Sequence, residues 1–120
     1  MKLDARDVPA SNLAFTRSTR VGTHLNFAEA VRLCLPVHHI FLDAIRPGFL
    51  MTFGAVENFA QAVGLVSIEH RSAEHGTWMA HRGIARIAGR EVAFGNVPHM
   101  SVWASDQRPD VIAWALAGLA

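Results

Sequence analysis

Seven histidines in 120 residues make metal binding and acid–base chemistry the first possibilities to weigh, because imidazole changes charge near neutrality and is a common metal ligand. His38 and His39 are adjacent. In a strand, neighbouring side chains point to opposite faces, so the pair cannot share a metal. In a helix, His39 and Asp43 would be i, i+4 neighbours able to share a hydrogen bond, whereas in a strand they lie about 13 Å apart. The run His70-Arg71-Ser72-Ala73-Glu74-His75 has a superficial likeness to zinc-protease signatures. Its histidines are five apart, about 140° round a helix, and neither H-E-x-x-H nor H-x-x-E-H is present. A solvated charged loop is the better account. His24, His81 and His99 have no partner nearby in sequence and read as surface or hydrogen-bonded residues. No metal is expected.

The lone Cys34 excludes an internal disulfide framework and falls on an apolar stripe, where a buried, unactivated thiol is the usual outcome. There is no nucleophile elbow, phosphate-binding glycine loop or dinucleotide fingerprint, and no tyrosine. Glu57, Asn58 and Gln61 form a polar strip on a helix that is otherwise apolar. Against a curved sheet this strip could present a base or hydrogen-bonding groups to a cleft, although facing water is the simpler role. Arg82 and Arg86 share a face of a strand, with Arg90 just beyond a turn. That row could fork onto a phosphate or carboxylate, or simply keep a sheet face solvated. Trp78, Trp103 and Trp114 are expected mainly in core or interface.

The elements that must hold these groups can be read from periodicity. Asn26 has the position of a helix cap with Glu29 three residues on, followed by Phe27, Ala30, Val31 and Cys34 at helical spacing. Pro36 is expected to end this helix. Val37–Ile45, short and apolar, is then expected as a buried strand, the setting preferred for His39 and Asp43. Phe49–Phe53 reads as a short strand and residues 52–66 as a helix. Ser67–His75 is ambiguous. Thr77–Ile87 and Arg90–Val97 flank Ala88-Gly89, which predicts a tight hairpin. Met100–Ser105 is expected as a third strand, and a last helix opens near Pro109, proline being harmless in a first turn.

Length fits a single domain spanning residues 1–120, with 1–25, the least patterned part, as a partly ordered N-terminal arm. The sequence is 51% apolar and 18% charged with a formal charge of +1. That balance is too weak to point to nucleic acid, and no apolar run is long enough to span a bilayer. The polar stretch Met1–Ser11 does not read as a signal peptide, so the expected location is the cytoplasm. Apolar content this high implies either an unusually filled core or an apolar surface that a second subunit covers. Because a core of this size saturates early, the second is expected.

Phe59-Ala60-Gln61-Ala62-Val63-Gly64-Leu65 resembles the central helix of the hot-dog family, and the segment from His81 to Ala93 resembles that fold's long hairpin strands. The resemblance covers about a third of the chain and implies a homodimer with an interface pocket acting on acyl thioesters. The link between helix and hairpin looks too short for the family's extra strand. The element order is equally similar to the longin/roadblock type, a dimeric scaffold without chemistry. The expected fold is therefore α+β: an antiparallel sheet of about four to five strands packed with two to three helices, in hot-dog-like or roadblock-like order. The expected function is a homo-oligomer that binds a small, largely apolar molecule or acyl thioester. Its enzymatic version works by metal-independent acid–base chemistry, with Glu57, Asp43 or His39 as proton carrier and Asn58, Gln61, Arg82 and Arg86 as ligand contacts, and needs no cofactor. The alternative is a non-catalytic dimeric interaction module.

Overall fold

The computed structural model describes Val8, Ala10 and residues 27–119; the expected Asn26 cap and almost all of the N-terminal arm lie outside them. The chain is α+β, and its sheet is mixed. A first helix, α1 (Phe27–Ile45), leads to strand β1 (Phe49–Phe53) and the short helix α2 (Val56–Ala60). Strands β2 (Gly64–Ser72), β3 (Met79–Ile87) and β4 (Arg90–Val97) follow, then helix α3 (Pro109–Ala115), framed by 3-10 turns at Ser105–Gln107 and Leu116–Leu119. The strand order is β1-β4-β3-β2. β2, β3 and β4 form an antiparallel meander, while β1 runs parallel to β4, a departure from the all-antiparallel expectation.

The predicted hairpin is present and its turn has the predicted cause. Ala88 and Gly89 both take positive φ, 50° and 78°, as a two-residue turn matching the strand twist requires. Counting outward from it, Ile87 faces Arg90 and, six pairs on, His81 faces Asn96.

Three expectations for the elements are corrected. Pro36 does not end the first helix, and 37–45 is not a strand: α1 continues through the proline to Ile45. Proline removes one amide donor and crowds the preceding turn at a cost of about 3 kcal/mol, yet helical spacing persists on both sides of it. Val31 and Cys34 are buried, and two turns beyond Cys34 Leu42 packs against the cluster of Val56, Phe59 and Phe94. The helix stops at Arg46, which adopts φ 50° and donates its amide to the Leu42 carbonyl at 2.7 Å, a left-handed cap. In its first turn the Arg32 guanidinium, hydrogen-bonded to Glu29, holds that exposed carboxyl below the usual carboxylate range.

The expected helix over 52–66 shrinks to Val56–Ala60. Its front belongs to β1, whose ladder with β4 runs through Phe53, and its back unwinds so that β2 can start at Gly64. β2 is thus drawn from the end of the expected helix and the ambiguous polar run. Met100–Ser105 is no strand. His99 and Ser101 close a turn there, and Trp103, 2% exposed, donates its indole N–H to the Ala73 carbonyl at 2.9 Å.

The sheet is packed on both faces. On one, α3 sets Val111 and Ala115 against Val97, Ala80, Ala73 and Trp103. A Cβ on Gly95 would lie 2.3 Å from the Ala115 carbonyl oxygen, so only glycine lets α3 sit this close. On the other face, Val56 and Phe59 of α2 meet Ala85, Ile87 and Phe94, with Leu42 of α1 beside them. No helix among the described residues is long and apolar enough to cross a membrane.

Candidate functional site

A row of polar side chains crosses the sheet on the α2 face. Thr52 on β1 pairs in register with Asn96 on β4, Asn96 with His81 on β3, and His81 with His70 on β2. Asn96 is 1% exposed, the polar side chain that the core encloses among the described residues. A buried amide is tolerated only when its groups are paired, and the pairing here fixes the orientation of the whole row. Its Nδ2 donates to the Gly54 carbonyl at 3.1 Å and to Thr52 Oγ1 at 2.9 Å. A carbonyl oxygen can only accept, so the amide nitrogen must be the atom that faces it. Asn96 Oδ1 then faces His81 Nδ1 at 3.3 Å, and because that oxygen only accepts, His81 must carry its proton on Nδ1. The neutral ring keeps its lone pair on Nε2. Thr52 completes the chain by donating its hydroxyl to the Gly95 carbonyl at 3.3 Å. No buried side-chain polar atom among the described residues lacks a partner.

His81 and Asn96 form the floor of a half-open cleft of about 440 Å3, within the usual size of small-molecule sites. Val56, Trp78, Met79, Pro98 and Val102 supply most of its apolar wall, and Glu57 and His99 the remaining ionisable groups among the described residues. The elements place it at one end of the α2 face. β1 delivers the chain to Gly54, whose φ of 102° turns it into α2; β4 ends at Val97, just before Pro98; and the 73–78 link brings Trp78 across, its ring 4.5 Å from that of His75.

Of the residues singled out from sequence, Glu57 lines this cleft. Asn58 is half-buried on α2 and Gln61 exposed just after it, and neither contributes to the lining. His39 and Asp43 lie one turn apart on α1, not on a strand, and no hydrogen bond joins them among the described residues. Asp43 borders a separate recess of about 10 Å3 beside Leu42, Ile87 and Arg90, room for about one water. Arg82 and Arg86 sit on the opposite face of the sheet. Arg82 donates to Glu69 at 2.8 Å and to the Trp114 carbonyl at 3.1 Å, with its guanidinium 4.4 Å from the Trp114 ring centre. Arg86 pairs with Glu91 at 3.1 Å. The arginine row is thus consumed by its neighbours. Among the described residues, no three His, Cys, Asp or Glu side chains gather as a metal-binding set.

Sequence reasoning passed over Thr52, His81, Asn96 and His99 as a group. One signal was available: the Ala88-Gly89 turn sets His81 opposite Asn96 by counting alone. The parallel pairing that adds Thr52 has no local sequence mark. Comparison with protein families, with curated proteins and with solved structures finds no match.

Proposed function

We propose that the protein binds a small, largely apolar molecule in the cleft between α2 and the sheet, with His81 exchanging a proton with it. The observation that carries this reading is the hydrogen-bonded row Thr52–Asn96–His81 beneath an apolar cavity. A fully paired polar network in a small core holds its members in one arrangement. Here that arrangement leaves one imidazole nitrogen with a free lone pair beside space for a ligand, which is what a general base needs. Glu57, at the rim, has no fixed partner among the described residues and is the lesser candidate for that role.

The test is an NMR titration with 2-naphthol, an apolar bicycle bearing one hydroxyl. Saturable shifts at the methyl groups of Val56, Met79 and Val102 and at the His81 ring are expected. No saturable binding, or shifts confined to other parts of the protein, refutes the reading.

Self-association belongs to the same proposal. Leu33, Val37, Ile40, Phe41 and Ile45 follow helical spacing down the outer side of α1, with Leu33 63% and Ile40 66% exposed. Leu65, Val66 and Ile68 are exposed on the edge strand β2. A stripe of this kind on a small domain marks an association surface. It is also what supports the second reading, an interaction module without chemistry. Sedimentation of the wild type and of Leu33→Glu/Ile40→Glu separates the possibilities: a dimer that the double variant dissociates supports association, and a wild type monomeric at high concentration removes it.

A further inference from the structure

The cleft holds a second imidazole whose tautomer is fixed in the opposite sense. The backbone N–H of Ser101 donates to His99 Nδ1 at 3.1 Å, with Ser101 Oγ 2.7 Å from the same nitrogen. An amide N–H can only donate, so Nδ1 is the accepting nitrogen and neutral His99 carries its proton on Nε2. One cleft thus contains an imidazole whose free nitrogen accepts, His81, and one whose free nitrogen donates, His99.

Charge narrows the ligand further. Among the described residues no lysine or arginine lines the cleft, and Arg82 and Arg86 are paired elsewhere. Glu57, the carboxylate at the rim, opposes an anion. A phosphate or carboxylate ligand therefore finds no counter-charge among the described residues, and the polar group that fits them is a neutral one able both to yield a proton and to accept a hydrogen bond.

We infer that the cleft takes a neutral carbonyl compound with an ionisable C–H beside the carbonyl, and that His81 and His99 together exchange that proton through a hydrogen-bonded enolate. In the step, the His81 Nε2 lone pair takes the α proton. The C–H electron pair becomes the C=C bond, and the C=O π pair moves onto oxygen, which accepts the hydrogen bond from His99 Nε2–H. Return of the proton from His81 to carbon restores the base, so no other reactant is consumed. A hydrogen-bond donor at the oxygen where charge develops lowers the barrier to enolate formation.

This inference rests on the proposed reading of the cleft, and the experiment separates the two. Exchange of the methylene protons of 2-indanone in D2O is followed by NMR with full-length protein, wild type, His81→Gln and His99→Gln, alongside 2-naphthol binding. Trp103 emission confirms that each variant is folded. The wild type is expected to accelerate exchange, His81→Gln to return it to the background rate, and His99→Gln to slow it about tenfold, the worth of one hydrogen bond of about 1.4 kcal/mol. Normal 2-naphthol binding without accelerated exchange, or acceleration indifferent to His99→Gln, overturns the inference and leaves the cleft reading standing. Absence of 2-naphthol binding brings down both.

Discussion

Replacing Asn96 with leucine tests whether the polar row organises this end of the sheet. The side chain is 1% exposed and makes three hydrogen bonds, to Gly54, Thr52 and His81. Each contributes about 1 kcal/mol net, and stranding the Gly54 carbonyl adds about 1–2 kcal/mol. Burying the apolar leucine side chain returns about 1–2 kcal/mol. The expected loss is about 3 kcal/mol, a large part of the 5–15 kcal/mol typical of a domain. Urea unfolding followed by the buried Trp103 measures it. Thr52→Val removes one bond from the same row and one to the Gly95 carbonyl, about 2 kcal/mol in all. The double variant should fall short of the sum by about 1 kcal/mol, since the two side chains share a bond. Asn96→Leu also frees the His81 tautomer: ring 15N spectra of the wild type should show Nδ1 protonated in the neutral form, and the variant a mixture. A loss below about 1 kcal/mol together with an unchanged His81 spectrum would mean that Asn96 neither holds the strands nor fixes the imidazole.

Gly95→Ala should cost about 3 kcal/mol in urea unfolding, because its Cβ would press on the α3 backbone and overpacking against main chain cannot relax by a rotamer change. Arg82→Ala should cost about 1–2 kcal/mol through the lost Trp114 stacking and its half-buried hydrogen bonds, while 2-naphthol affinity stays the same because the residue lies on the other face. Pro36→Ala should raise stability by about 2 kcal/mol, the restored helix bond outweighing a more flexible unfolded chain; a lower urea midpoint would show that α1 needs the proline to seat Leu42.

The hairpin was legible because its information is local: two residues of positive φ fix the turn, the turn fixes the register, and the register places fourteen residues opposite one another. The last helix was legible for the same reason, its proline standing at a position where the missing donor does no harm. The elements misread from sequence are those where tertiary contacts outweighed a local signal. Proline argues for a break at residue 36, but the break would forfeit the docking of Leu42 on the α2 cluster. The apolar spacing of 56, 59, 60 and 63 argues for a long helix, but Phe49–Phe53 must stay extended against β4, and Gly64 onward must pair with β3. Met100–Ser105 has strand-like residues, but Trp103 turns inward to bond the Ala73 carbonyl and the segment closes into a turn.

The candidate site was hidden for a related reason, one that also bears on its chemistry. Motif reasoning looks for reactive groups close in sequence or one helical turn apart, which is why His39, Asp43, Glu57 and the Arg82–Arg86 pair stood out. Thr52, His81 and Asn96 sit on three different strands, and they meet because two pairings, one antiparallel and one parallel, share β4. A row assembled in this way has its geometry set by backbone ladders on both sides of Asn96, so its donors and acceptors are ordered without help from a ligand. The exposed Glu57 on a five-residue helix has no such constraint. Between a carboxylate free to swing at the rim and an imidazole whose proton position is dictated by three strands, the second is prepared before a ligand arrives. Preorganisation of this sort, more than the identity of any single residue, is what separates a proton-transfer site from a polar surface.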